Sequence, residues 1–420
     1  MAGENTVTSM EKALAKLYSG DATKLEINKN NPVWQRMRKI GDFEGSSYEH
    51  TVPLSYGQGI GITISDAADQ RSADEYERFS VTRRKVYGVG TVSGELIRAT
   101  KSKRGTVIGQ ALQTARDNNL ENLKLFLRHS LWNNGGGALG QVKSGSISGS
   151  TLQLTNPDDT LWLGRGMKVV FSTADGTSGS AKTTVFTIAS VNRETGVVTF
   201  TASVAGGGAN DPANNDYVFR KGTFGAVFHG VPAWIPRTNT GLSTAFLGVD
   251  RSQDENYLAG LRHSTPQGAS VMECLMLALQ RCFRAGIEPD TIVLNPYDWM
   301  TLPMVNQGQV QYTRSGSGSQ DLTIGFGQNV KIGAPYGMVD ILPDPGVKQG
   351  DGWILTMDSW ELHYAGDMFP ELLKDDGVIV LREPSDDAYS WRYGAMGDIV
   401  CRAPRKNMYC ALPAVTQPHP

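Results

Sequence analysis

Across 420 residues the chain carries 40% hydrophobic and 20% charged residues, the proportions of an ordered globular protein and not of a disordered one. Its length exceeds what one hydrophobic core usually serves, so two or three packing units are expected. A formal net charge of −2 argues against a dedicated nucleic-acid binder, which is usually distinctly basic, and it leaves little repulsion between copies of the chain. No run approaches the roughly 20 apolar residues of a membrane span, and the opening MAGENTVTSMEKA has no apolar signal core. The expectation is a soluble chain made inside a cell, with no membrane partner. Four cysteines fit a reducing compartment. Cys274 and Cys282 lie eight apart on one predicted helix as small core residues, and Cys401 and Cys410 flank a Pro-containing segment without metal-ligand spacing.

Residues 1–45 read as an arm. Thr8-Ser9-Met10-Glu11 fits a capping box, and Met10, Ala13, Leu14 and Leu17 give one apolar side to a short helix that Gly20 ends. The extended stretch Ile27–Pro32 and the amphipathic turn Val33–Ile40 follow. So little apolar surface must pack on something else. Residues 46–103 read as two strands, Tyr48–Leu54 and Phe79–Leu96, parted by SYGQGIGITISDAADQRSADEYER. A connection of that length without a core is usually functional or bound to a partner.

Residues 104–139 hold the strongest helical signal. Ile108, Ala111, Leu112, Ala115, Leu123, Phe126, Leu127 and Leu131 share roughly one face over 104–133, a rod of about 45 Å at 1.5 Å per residue. Asn133-Asn134-Gly135-Gly136-Gly137 stops it. From 140 to 222 the chain changes character, with β runs at Thr151–Leu154, Met167–Phe171, Thr184–Val191 and Val197–Phe200. Asn, Asp, Gly and Ser clusters part them, and Arg193-Glu194-Thr195-Gly196 makes a hairpin turn. The segment has no cysteine or histidine and few charges, so it reads as an inserted all-β module that presents surface.

Residues 223–263 form a Pro-punctuated connector, Gly230-Val231-Pro232-Ala233-Trp234-Ile235-Pro236 at its centre. A second unit covers 264–385. Thr265 caps a helix with Pro266 at its first position, and Val271, Leu275, Ala278, Leu279 and Cys282 repeat until Gly286. Thr291–Leu294 is a short buried strand, and Asn295-Pro296 opens the next helix. Strands follow at Val330–Ile332, Met338–Leu342, Trp353–Met357, Glu361–Tyr364 and Val378–Arg382, with a Gly/Ser loop at Thr313–Gln320. Within 386–420, Ala388–Leu412 reads as one long strand that closes back onto the earlier β unit. The fold class is α+β.

Chemistry is sparse. Gly57-x-Gly59-x-Gly61 and Gly88-x-Gly90 lie in β-like stretches with no helix next, unlike a dinucleotide fingerprint. Gly145-Ser146-Ile147-Ser148-Gly149 puts isoleucine where a nucleophile elbow needs serine. His50, His129, His229, His263, His363 and His419 show no ligand spacing. Carboxylates cluster at Asp66, Asp69, Asp74, Glu75 and Glu77, and again at Asp375, Asp376, Glu383, Asp386 and Asp387. Neither has the order of a calcium loop; they are solvated charge or pairing between subunits. No catalytic, cofactor-binding or metal-binding residue is nominated, and no enzyme is expected. Trp34, Arg71, Asp74, Glu75 and Arg78 are candidate inter-subunit contacts. The basic run Arg98, Lys101, Lys103 and Arg104 is a candidate contact to phosphate or to a subunit, the alternative being a solvated helix start.

Four stretches carry a resemblance: Tyr76-Glu77-Arg78-Phe79-Ser80-Val81-Thr82-Arg83 leading to Gly94-Glu95-Leu96-Ile97-Arg98-Ala99-Thr100; Asp290-Thr291-Ile292-Val293-Leu294-Asn295-Pro296; Ala334-Pro335-Tyr336-Gly337-Met338-Val339; and Ile399-Val400-Cys401-Arg402-Ala403-Pro404. In this order the chain resembles the major capsid proteins of tailed bacteriophages, the Hong Kong 97-type shell family. The resemblance implies an N-terminal arm (1–45), an extended loop with peripheral-domain strands (46–103), a spine helix (104–139), an axial domain (264–385) and a returning peripheral strand (386–420). The β segment at 140–222 would be an insertion domain. It implies a structural protein of the virion, made in the host cytoplasm, that self-assembles as hexamers and pentamers into an icosahedral shell around double-stranded DNA touched non-specifically. The implied partners are a portal, a separate scaffolding protein and a decoration protein. Residues 45–82 contain no lysine, so a shell without the family's loop-lysine cross-link is expected. A related reading is an encapsulin-type nanocompartment; a reading of another class is a hydrolase with an accessory β domain. A surface adhesin is disfavoured.

Overall fold

A computed structural model describes residues 31–99, 109–264, 266, 268–305, 330–335, 337–374, 377 and 380–413. The expected helix near residues 8–20, Lys101, Lys103, Arg104, Thr265, the loop Thr313–Gln320, Asp375 and Asp376 lie outside them, and Arg98 is described in its backbone alone.

The described part of the arm is not loose. Asn31 caps helix α1 (Pro32–Arg36), its side chain accepting from the N–H groups of Val33 and Trp34. Strand β1 (Arg38–Ile40) follows, and Val33, Met37 and Phe43 are buried. The something else on which this segment packs is the chain's own body. Strand β2 (Ser47–Ser55) leads to a short helix α2 (Ile64–Asp69) and to strand β3 (Glu75–Thr82), and β2 and β3 pair antiparallel from Ser47↔Thr82 to Ser55↔Glu75. The expected single strand Phe79–Leu96 is divided: β4 (Arg84–Ser93) starts after Arg83, and Leu96 sits on helix α3 (Gly94–Ala99). Glycine is required at Gly90, because a Cβ there would collide with the Trp391 indole.

Helix α4 (Gly109–Leu131) lays Ala115, Leu123 and Leu127 onto β4 and Trp391. Gly135 and Gly137, both at φ 88°, end it at the expected place, a conformation only glycine adopts at little cost. The β module then runs as β5 (Ala138–Gln141), β6 (Thr151–Gln153), β7 (Lys168–Ser172), β8 (Phe186–Val191), β9 (Val197–Phe200) and β10 (Tyr217–Arg220). Its order is β5-β10-β7-β8-β9-β6, and a bridge between Val142 and Leu154 joins the two outer strands. Lys143 N–H donates to the Gln153 carbonyl and Thr155 N–H to that of Gln141, both at 2.8 Å. The module is therefore a closed six-stranded barrel without a free edge. Phe171, Phe186 and Phe200 meet inside it edge to face at 5.7–6.2 Å, a favoured aromatic geometry.

The connector 223–263 does not lie outside the core. Helix α5 (Val231–Trp234) buries all four of its residues, and helix α6 (Glu255–Ala259) buries Leu258 and Ala259. Strand β11 (Leu261–His263) precedes helix α7 (Val271–Arg284), which Ser270 caps by accepting from Glu273 N–H. That start is later than the one expected at Thr265 and Pro266. Val271, Cys274, Leu275, Ala278, Leu279 and Cys282 are its buried face. Strand β12 (Thr291–Leu294) is buried on both sides, so it reads as an unbroken apolar run. Helix α8 (Pro296–Val305) follows, then β13 (Val330–Ala334), β14 (Gly337–Pro343), β15 (Asp351–Leu355) and β16 (Trp360–Tyr364).

At Trp360 the chain leaves the second unit, earlier than the expected change near 385. Strands β16, β17 (Glu371–Leu372) and β18 (Leu381–Arg382) all pair with the long β19 (Ala388–Cys401). The last expected strand is likewise two strands. Pro404 opens a 3-10 turn, Pro404–Lys406, and β20 (Met408–Ala411) passes into the other sheet. One sheet runs β1-β16-β19-β17 with β18 and β4 also on β19; the other runs β11-β20-β15-β12-β14-β13. The return of β19 onto β4, from Ala388↔Ser93 to Gly397↔Arg84, is the closure expected from sequence.

The barrel meets α4 through polar as well as aromatic groups. The His129 ring lies edge-on to Trp162 at 4.9 Å, and Arg220 stands over Phe126 at 5.7 Å while donating to Asn122 Oδ1. Burial, aided by the Lys348 charge, pulls the His129 imidazole from 6.5 down to about 3. Burial likewise pushes the nearby Asp159 carboxyl from 3.8 up to about 6. Their effects on stability oppose each other. The depressed histidine contributes stability that is whole above pH 6.5 and is lost as pH falls toward 3. The raised carboxyl contributes stability that is whole below pH 3.8 and is lost as pH rises through 6.

Two outcomes follow for this seam. In His129→Gln the Asp159 slope stands alone, so the unfolding free energy from urea denaturation should rise relative to wild type as pH drops from 7 to 4.5. In Asp159→Asn it should fall, each by up to about 1.4 kcal/mol per pH unit. Parallel pH profiles for all three proteins would refute this origin. The barrel's ends adjoin, Gln141 pairing with Tyr217, so a short Gly/Ser link in place of residues 142–216 should leave the rest folded. Hydrogen-exchange protection of β12 and β19 should persist in that variant; its loss would mean the barrel is integral to both sheets.

Candidate assembly surfaces

The β2–β3 hairpin is anchored at one end and unpartnered at the other. Val52, Phe79 and Val81 are buried, and the Phe79 ring meets Trp234 at 5.2 Å. Past Ser55 the chain runs out to α2, which buries none of its residues. Thr63 caps it, accepting from Asp66 N–H and donating to Asp66 Oδ2 at 2.7 Å. The loop is tied to itself where Gly57 N–H donates to Asp74 Oδ1 and Gln58 N–H to Ser72 Oγ. Gly61 lies so close to the start of α2 that a Cβ would sit 2.5 Å from Ala67 N. The outcome is an ordered finger whose side chains face water: Ile60 is 81%, Ile62 103% and Ile64 91% exposed, with Tyr56 and Tyr76 exposed beside them. Exposed apolar residues grouped in this way mark a contact surface.

The sequence candidates fall on and around this finger. Arg71 is exposed and donates from Nε to the Ala68 carbonyl. Asp74 closes the loop, and Glu75 begins β3 opposite Ser55. Arg78 stands 3.4 Å from Glu49 across the hairpin, where Ser80 Oγ also donates to Glu49. Trp34 is half-buried, its ring 6.0 Å from Phe369. Asp74, Arg78 and Trp34 thus have partners within the chain. The isoleucines escaped the sequence reading, although their alternation in Gly-Ile-Gly-Ile-Thr-Ile was the signal.

The finger's base and the arm are fastened by side chains distant in sequence. Arg36 donates to Thr291 Oγ1 at 2.9 Å and to Asp340 Oδ2 at 2.6 Å. The buried His363 bridges Asp42 at 2.7 Å and Glu361 at 3.1 Å, with the Tyr48 ring over it at 4.1 Å. At the end of α4, Arg128 Nη2 and Trp132 Nε1 donate to the two oxygens of buried Asp344, at 2.6 and 3.1 Å.

One trio, half-buried Arg84 with buried His229 and Asp398, is bonded within itself. His229 donates from its backbone N–H to Asp398 Oδ1 and from Nδ1 to Oδ2, at 2.8 and 2.6 Å, and its Nε2 accepts from Arg84 Nη2 at 2.9 Å. Arg84 also donates to the carbonyls of Gly135, Gly225 and Val227, and burial holds its guanidinium below the usual value against the Asp398 charge. These groups spend their hydrogen bonds on each other, and no hydroxyl or thiol joins them among the described residues. A concavity lined by Arg382, Glu383, Pro384, Ser385, Asp386 and Asp387 is the open surface of one turn, and no three His, Cys, Asp or Glu side chains among the described residues converge to hold a metal. No helix among them is long and apolar enough to cross a membrane.

No protein-family model matches the sequence, and no curated protein does. Among solved structures the chain is similar to a chain of the cyanophage A-1(L) capsid asymmetric unit, at 9% identity with a TM-score of 0.54 over 94% of this chain and 96% of that one. It also matches a chain of the holo-SrpI encapsulin complex from Synechococcus elongatus PCC 7942, at 10% identity and a TM-score of 0.46 over 97% of both chains. A third match is the capsid of a native GTA particle, at 9% identity and a TM-score of 0.44 over 97% of this chain and 99% of that one. The α+β fold assembled here, from arm segment to returning strand, is that of the cyanophage capsid chain, in keeping with the resemblance of the sequence to phage capsid proteins.

Proposed function

We propose that this chain is the major capsid protein of a tailed bacteriophage, a tile that assembles with its own copies into an icosahedral shell around double-stranded DNA. The observation that carries the reading is the ordered finger with Ile60, Ile62 and Ile64 in water. Covering each of these side chains on a neighbour contributes about 2 kcal/mol, and an obligate contact of this kind exceeds roughly 2,000 Å². Among the described residues of one subunit, none covers them. Half-buried Arg84 and buried His229 and Asp398 meanwhile bond to each other and to nearby carbonyls, which suits a structural role in a tile. In this reading the barrel is an insertion domain, α4 the spine and the sheet built on β12 the axial domain. Charges at Arg71 and Glu75 guide neighbouring fingers into register, while Arg98, Lys101, Lys103 and Arg104 meet phosphate or a subunit. A scaffolding protein, a portal and a decoration protein are the partners of such a shell.

Deleting residues 57–74 should leave a folded, soluble subunit that forms no closed particles in negative-stain micrographs. Particles of unaltered size would overturn the finger's role, and a wild-type chain that stays monomeric at high concentration would overturn the shell reading. Because residues 45–82 lack lysine, mature particles should run on a denaturing gel as a single band of monomer. A ladder of linked subunits would contradict the absence of a loop-lysine cross-link.

A further inference from the structure

Four sulfur atoms line the seam between α7 and β20. Cys274 and Cys282 are two turns apart on the buried face of α7, and Met408 and Cys410 lie on one face of β20, two residues apart. Cys282 Sγ points at Met408 Sδ, 3.7 Å away. Cys274 Sγ and Cys410 Sγ touch at 3.4 Å, and Cys274 Sγ also donates to the Ala411 carbonyl at 3.3 Å. Both cysteines are present as thiols with no solvent exposure. Cys401 belongs to the other sheet, its sulfur 3.5 Å from Asn407 Nδ2. Hence, among the described residues, one cysteine pair is in sulfur contact, and it joins the axial helix to the last strand of the fold.

We propose that Cys274 and Cys410 are an oxidisable pair that closes into an intramolecular disulfide with a small-molecule disulfide such as oxidised glutathione as the oxidant. One cysteine thiolate attacks the glutathione disulfide and displaces a glutathione thiolate; the other then attacks the mixed disulfide and displaces the second. Two protein thiols and one oxidised glutathione give one protein disulfide and two reduced glutathione molecules, and the two protein protons pass to the departing thiolates. The sulfurs must approach by about 1.4 Å to reach bonding distance, a shift shared between a helix side chain and a strand side chain. Mutual contact and burial raise the Cys410 thiol well above the ordinary value, so the closed protein holds little thiolate. Exchange therefore waits on opening of β20, which is held by β11 on one side and β15 on the other. The pair stays reduced through folding in a reducing cell and closes slowly afterwards. The bond fastens residues 136 apart in sequence and blocks withdrawal of the terminal strand.

The test uses the full-length protein incubated for days with oxidised glutathione at sub-denaturing urea, then alkylated and digested without reductant. The expected product is one peptide pair joined through Cys274 and Cys410, two hydrogens lighter than the separate peptides and parted by dithiothreitol. The thermal midpoint should rise by about 4 °C, and Cys410→Ala and Cys274→Ala should each remove the rise. Glutathione adducts at either residue without the link, a link through Cys282 or Cys401, or thiols that persist while oxidised glutathione remains would each overturn the proposal. This chemistry is read on the chain alone, so it stands or falls apart from the shell reading.

Discussion

A carboxylate with no access to water sits where four parts of the chain cross. Asp398 on β19 receives the backbone and ring of His229, and His229 receives Arg84 from the foot of β4. Arg84 reaches on to carbonyls at the end of α4 and at the root of the barrel. A buried charge left alone costs several kcal/mol, and its partners must be geometrically exact for the loss to be offset. Here the condition is met only when strand β4, the helix end, the connector and the returning strand are all in place. The crossing therefore acts as a register mark for the assembled body, although the apolar clusters around Trp234 and Trp391 supply most of the burial.

The finger has no core of its own and is held at its root, where the Phe79 ring packs on Trp234. Its two strands enter the body at Val52, Phe79 and Val81, and past Ser55, among the described residues, local capping and loop bonds hold it. The subunit thus divides its residues between a body with buried apolar clusters and a projection whose apolar side chains lie in water. Asp74 and Arg78 each have an intrachain partner. Ile60, Ile62 and Ile64 are the apolar side chains of the projection.

Much of the local structure was legible because it obeys short-range rules. Thr291–Leu294 and Val197–Phe200 were read at their observed bounds, the one as a doubly buried run and the other as an alternating one. The helix stop at Gly135 and Gly137 followed from the backbone freedom of glycine. Misreadings came where two local signals competed or where the deciding contact was remote. Thr265-Pro266 was read as the helix start, whereas Ser270 is the residue whose hydroxyl meets the N–H three residues on, that of Glu273. The terminal strand looked continuous because Met408–Ala411 is as apolar as Ile399–Cys401, yet Pro404 breaks it and sends the two halves to different sheets. The trio at Asp398 was invisible, its members lying 145 and 169 residues apart. In the finger, charge drew the eye toward Arg71 and Glu75, while the alternation of isoleucine with glycine and threonine carried the stronger signal.

The closed barrel has one more consequence. Its first and last strands run side by side, so the module hangs from the body on a two-stranded stem whose feet are about 5 Å apart. Any foreign domain with similarly adjacent termini could be seated on that stem without lengthening the path between α4 and the connector. The architecture is a socket, and a particle built of such subunits would carry its cargo of grafted domains in as many copies as it has tiles.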